Sequence, residues 1–139
     1  MILLKFSFGP LQTTDILFAC SETKRAAIVD PGVDSTETLL EALEKEKFVL
    51  EKILLTHSHW DHIAGVRALH DKTKALVYVH PLDRPNLEKP GVDGIPLFSS
   101  ILGAMADQDL GEGQIIRVGN LEIHVLHTPG HSPGGVCFY

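Results

Sequence analysis

The chain has 139 residues, a mass of 15.2 kDa and 44% hydrophobic residues, which fits one domain (1–139) with a substantial core and leaves no room for a second. Its formal charge of -6 is spread over interspersed acidic and basic residues, so no basic stripe exists to follow a phosphate backbone, and nucleic acid is set aside as a partner. No apolar run reaches the roughly 18 residues of a membrane-spanning helix, and the Met1-Ile2-Leu3-Leu4 start lacks the basic segment and cleavage site of a secretory leader, so a cytoplasmic protein without membrane contact is expected.

Ile2 to Phe8 and Ile16 to Cys20 read as strands joined through a Gly9-Pro10 turn, and Ala26 to Val29 as a third, ending at the loop Asp30-Pro31-Gly32. The period then changes. Asp34 or Ser35 can cap a helix in which Leu39, Leu40 and Leu43 share one face, opposite Glu41, Glu44 and Lys45, running to about Lys47. Ile53-Leu54-Leu55 is a continuous apolar run, as expected of a strand buried on both faces. Ile63 through His70 suits a short helix, and Ala75 to Val79 another buried strand, closed by His80-Pro81. The stretch Leu82 to Gly113 holds five of the twelve glycines and three of the eight prolines, so a long loop is expected there, with a weak helical interval near Ile101 to Met105. Ile115 to Val118, Gly119-Asn120 and Leu121 to Leu126 read as a hairpin leading into His127-Thr128-Pro129-Gly130-His131. Cys20 and Cys137 sit in apolar segments without a C-x-x-C pairing and read as buried free thiols, a disulfide between them being left open.

The chemistry is concentrated after the Ile53-Leu54-Leu55 run. Thr56-His57-Ser58-His59-Trp60-Asp61-His62 places three imidazoles and a carboxylate within six consecutive positions, nitrogen and oxygen donors of the kind that bind Zn²⁺ or a similar first-row metal. Ligands in open α/β architectures gather at such strand ends. Pro129 fixes one backbone dihedral and Gly130 permits unusual ones, so the second turn can present His131 inward with little loss of entropy on metal binding.

These two segments together, with Asp30-Pro31-Gly32, resemble the metallo-β-lactamase-fold superfamily, and within it most of all the glyoxalase II branch, the hydroxyacylglutathione hydrolases, for which H-x-H-x-D-H and H-T-P-G-H are familiar motifs. The resemblance runs in order and spacing along nearly the whole chain. It implies an α/β (α+β) fold, the N-terminal half of an αββα sandwich with a mixed sheet and flanking helices. It also implies a site in two parts, with His57, His59 and His131 holding a first metal and Asp61 and His62 belonging to a second. Zn²⁺ is the expected ion, one or two per chain, with Fe or Mn as substitutes. A three-histidine site leaves a fourth position for water, whose pKa a catalytic zinc lowers to roughly 7. Asp61 would orient the resulting hydroxide toward a carbonyl carbon, and the expected reaction is hydrolysis of a small-molecule thioester such as an S-acylglutathione. His127 is assigned a supporting role, His80 a position at the pocket or in the core, and His70 and His124 none. Trp60 walls the pocket or packs on the neighbouring loop.

Family members continue beyond the second motif with an aspartate that bridges both metals and a further histidine, whereas this sequence stops inside the apolar run Val136-Cys137-Phe138-Tyr139. Asp107 and Asp109 precede His131 and do not match the bridging position, so Asp61 and His62 are an incomplete second set. Uncovered strand edges and an apolar face are expected to favour self-association or pairing with a C-terminal half. Two alternatives stand beside the thioesterase: an iron-dependent sulfur dioxygenase, lactonase or lactamase using similar ligands, and a non-catalytic metal-binding half that needs a partner.

Overall fold

In the computed structural model, which describes residues 1–139, strands β1 (Ile2–Phe8), β2 (Thr13–Ala19) and β3 (Arg25–Val29) form an antiparallel meander. Helix α1 (Thr36–Glu46) then crosses over to β4 (Val49–Leu54), which lies parallel to β3. Its end is well defined: Lys47 is left-handed at φ 57°, and the amides of Lys47 and Phe48 return to the carbonyls of Glu44 and Leu43 at 3.0 and 2.8 Å. Its start is less usual, because the Ser35 hydroxyl does not cap the helix but donates to the Gly32 carbonyl at 3.0 Å. Helices α2 (Trp60–Ile63) and α3 (Val66–Thr73) lead to β5 (Leu76–Val79), and helix α4 (Arg84–Glu88) precedes the short β6 (Gln108–Asp109). Both strands extend the parallel part, so the sheet runs β1-β2-β3-β4-β5-β6. A second, antiparallel sheet follows, of β7 (Ile115–Val118), β8 (Leu121–His127) and β9 (Val136–Phe138).

The period-2 alternation of strand side chains divides the interior into two cores on opposite faces of the large sheet. On one face Ala26, Ile28, Ile53 and Val77 pack with Leu39 and Leu43 of α1 and Val66 and Leu69 of α3. On the other Ala27, Val29 and Leu54 meet Ile116, Val118, Ile123 and Val125 of the second sheet. Leu54 and Leu55 thus face different layers while both are fully buried, which is why the segment carries no polar position.

Three local expectations need correction. The helix expected from Ile63 to His70 is split in two, because the Gly65 amide donates to the Pro31 carbonyl at 2.9 Å and folds the chain onto the loop after β3. The 101–105 interval is irregular; the helix in this region is α4, where Pro85 occupies a first-turn position that needs no amide donor. Ala104 instead donates its amide to the Leu87 carbonyl at 3.1 Å and buries its methyl. Cys20 is buried as expected, but Cys137 is exposed on β9, and both are free thiols. No helix is long and apolar enough to cross a membrane.

Candidate metal centre

The parallel strands β3, β4 and β5 all end at one rim of the large sheet, and the chain segments that leave them carry most of the polar side chains buried in the molecule. His57, His59 and His131 converge there, with one ring nitrogen of each within 4.8 Å of the others. Their ring centroids are 4.4 to 4.8 Å apart and all three rings stand edge to face. The two motifs, remote in sequence, therefore share one point in space. A second triple, Asp30, His57 and His62, also brings its donor atoms within 4.8 Å of one another.

The hydrogen bonds around His57 fix its tautomer. The Thr56 hydroxyl donates to Asp30 Oδ2 at 2.5 Å, so it can only accept from His57 Nδ1, 2.9 Å away. The lone pair is left on His57 Nε2, a buried atom with no hydrogen-bond partner. An orphaned imidazole nitrogen in a cluster of converging imidazoles is what a divalent cation would satisfy, and the residues present fit such an ion. Burial, reinforced by His62, pushes the pKa of His57 down to about 4, against the pull of Asp30. Burial and the neighbouring His131 also lower that of His59. Neutral imidazole is the form that binds metals.

His62 behaves in the opposite way. Burial works against its protonation, but the hydrogen bond and charge of Asp30, followed by the charges of Asp61 and Asp15, outweigh it and raise its pKa above the usual histidine value. Its Nδ1 lies 3.1 Å from Asp30 Oδ2 and its Nε2 3.4 Å from Asp61 Oδ2, so a proton on His62 supplies positive charge where carboxylates surround it. Asp61 is further held by the Thr13 hydroxyl, which donates to Oδ2 at 2.6 Å. Behind it, Asp15 is fully buried, accepts the Gly32 amide at 2.9 Å on Oδ2 and is pushed up to about 6 by burial.

Asp30 and Asp83 are the site residues that sequence reasoning passed over. Asp30 belonged to a recognised motif, and its pairing with the Thr56 amide at 2.7 Å shows why an aspartate ends β3. Asp83 carried no sequence signal, since it lies in the segment read as a loop. It is buried and accepts bonds from Ser58, Ser132 and Gly134. The other histidines lie apart from the cluster: His80 and His127 stack on each other with centroids 4.2 Å apart, His127 Nε2 meets the Pro133 carbonyl at 3.1 Å, and His70 and His124 lie on α3 and β8. Trp60 is buried against Phe98, at 5.6 Å between rings. A cleft of about 350 Å³ opens beside the cluster, lined by His59 and His131 together with Asp83, Asn86, Val92 and Asp93 among others.

The family model described as "Metallo-beta-lactamase superfamily" matches residues 8–139. The hydroxyacylglutathione hydrolase of Nitrobacter hamburgensis is 35% identical over 130 residues, which cover 86% of this chain and 45% of that protein. Among solved structures, BLEG-1 B3 metallo-beta-lactamase superposes with a TM-score of 0.89 at 37% identity, over 99% of this chain and 66% of that one. TTHA1623 in a di-iron-bound form gives 0.77 at 34%, over 98% and 66%. The chain thus spans less than two thirds of these proteins' lengths, and 65% of the length of curated relatives that align with nearly all of it.

Proposed function

The chain belongs to the metallo-beta-lactamase superfamily, whose members are mostly metal-dependent hydrolases, and from that membership we propose that it hydrolyses a thioester of the S-acylglutathione class with a divalent metal, Zn²⁺ in the first instance. The observation that carries the proposal is the orphaned Nε2 of His57 in a residue whose ring converges with those of His59 and His131. These three histidines would hold the ion, and Asp61 and His62, with Asp30 close to His62, would contribute to an incomplete second site. When bound, such an ion supplies Lewis acidity toward a carbonyl oxygen and lowers the pKa of water to roughly 7. The likeness to the Nitrobacter hydroxyacylglutathione hydrolase supports a thioester as substrate.

The chain's own residues supply orientation and proton handling. In this reading Asp61, steadied by the Thr13 hydroxyl, would accept a hydrogen bond from the attacking water and direct its lone pair at the carbonyl carbon. The carbon–oxygen bond forms as the water gives up a proton toward Asp61, the carbon–sulfur bond breaks, and that proton passes to the departing thiolate, leaving a carboxylic acid and a thiol. His57 keeps its lone pair turned inward because Thr56 and Asp30 fix its tautomer. The cleft beside His59 and His131 receives the substrate.

The test is a turnover assay of the zinc-loaded chain on an S-acylglutathione and on a chromogenic β-lactam. Thioester cleavage that disappears in His59→Ala is expected. Lactam cleavage without thioester cleavage would replace the proposal with the lactamase reading that BLEG-1 favours. The di-iron form of TTHA1623 favours a second reading of the metal, and elemental analysis of protein purified without added metal separates iron from zinc.

A further inference from the structure

We infer that Asp83 is the positioning residue of this metal centre: its single carboxylate ties the two ligand-bearing loops together and sets how His59 and His131 stand toward each other. The inference rests on the metal-centre reading above. Asp83 stands just before α4 and is 3% exposed. Its Oδ2 accepts the Ser58 amide at 2.9 Å and the Ser132 hydroxyl at 2.8 Å, and its Oδ1 accepts the Gly134 amide at 2.7 Å. Ser58 lies between His57 and His59, and Ser132 follows His131, so every ligand of the three-histidine cluster is next in sequence to a group that this carboxylate holds.

Two neighbouring features make the clamp specific. Asn86, on the helix that Asp83 precedes, donates its side-chain amide to the Ser58 carbonyl at 2.5 Å, so the Ser58 residue is gripped at both its amide and its carbonyl. A Cβ at position 134 would lie 2.7 Å from Asp83 Oδ1, and only glycine lets the second loop come close enough for its amide to reach the carboxylate. The segments that bear the histidines are also joined through backbone, where the Val136 amide at the start of β9 donates to the Thr56 carbonyl at 2.8 Å. The two segments are therefore held by a backbone tie and a carboxylate tie, and the carboxylate is the one that side-chain substitution can release. Partners of this kind, which orient metal ligands without touching the metal, typically change metal affinity by roughly ten- to a hundredfold when removed.

The experiment uses the 139-residue chain with Zn²⁺ and Co²⁺ as probes. Asp83→Asn keeps the size of the side chain but turns one acceptor into an NH₂ group facing N–H or O–H donors. Its Zn²⁺ dissociation constant, measured by competition with a chromophoric chelator, should rise roughly tenfold or more. The visible absorption of its Co²⁺ form should change in energy or intensity, while the metal-free protein still melts cooperatively. Ser132→Ala removes one donor to the same oxygen and should shift both readings in the same direction by a smaller amount; it decides the matter if Asp83→Asn does not fold. Zn²⁺ affinity and Co²⁺ spectra equal to those of the unsubstituted chain would overturn the inference, since a residue that merely supports the fold would lower the melting temperature and leave both unchanged. Failure of the unsubstituted chain to bind either ion is a separate result, which contradicts the metal-centre reading and takes this inference with it.

Discussion

An imidazole that is 8% exposed, with one nitrogen occupied by a threonine hydroxyl and the other without a partner, is costly to protonate, and His57 is in that state. In metal-free protein its C2 proton should titrate near pH 4 by NMR, where an ordinary surface histidine would titrate near 6.5; a midpoint at the ordinary value would show that the burial is not real. The sign for stability follows from linkage. The depressed folded-state pKa means that the contribution of His57 is fully present above 6.5 and is lost as pH falls toward 4, by up to roughly 3 kcal/mol. Asp15, raised from 3.8 to about 6, acts in the opposite sense, its contribution being present at low pH and lost as pH rises through 6. In denaturant titrations, the stability of metal-free Asp15→Asn relative to that of the unsubstituted chain should therefore rise between pH 4 and pH 6, roughly the window bounded by the two Asp15 values, whatever the other groups contribute to both proteins. At this scale the three histidines were legible because their type and spacing announce metal chemistry, whereas Asp15 and Asp83 were not, since a single aspartate shows its importance only through the groups folding brings to it.

The elements that end at the site are fitted by close backbone approach, and Gly65 is the clearest case. A Cβ there would lie 2.9 Å from Ser35 Oγ, 3.0 Å from the Gly32 carbonyl oxygen and 3.1 Å from that of Pro31. Gly65→Ala should push α2 and α3 away from the Asp30–Ser35 loop and lower stability by about 1–3 kcal/mol in denaturant titration, the usual cost of overpacking. Equal midpoints for the two proteins would contradict the packing described. The same contact explains why one expected helix is two: the interruption is dictated by the loop after β3, which no local periodicity reports. Strands β1, β4 and β8 and helix α1 were readable because alternation, an apolar run and a leucine face follow from burial on known sides. Helix α4 was hidden by its five residues, its proline and its polar character, and it matters because it carries Asn86, with Asp83 just before its first turn, to Ser58 between His57 and His59.

Across the whole molecule, the large sheet is the plate on which both cores and the site depend. Leu54 is fully buried between that sheet and the second one, two residues before Thr56. Leu54→Ala should cost about 2–5 kcal/mol by calorimetry or denaturant titration, and because β7 to β9 deliver His131, it should also weaken metal binding. A loss of stability without any change in metal affinity would mean that the second sheet positions His131 independently of this core. The mixed sheet and the family were legible from two short motifs and their order; the face that β7 to β9 cover was not, since pairing between sheets leaves no local trace in sequence. The most direct test of the account is metal content. The chain, stripped with chelator, incubated with excess Zn²⁺ and desalted, should retain at least about one equivalent by elemental analysis, and His131→Ala should lose most of it while remaining folded. Retention of no metal by the unsubstituted chain, or equal retention by the variant, would contradict the assignment of His57, His59 and His131 as the metal centre.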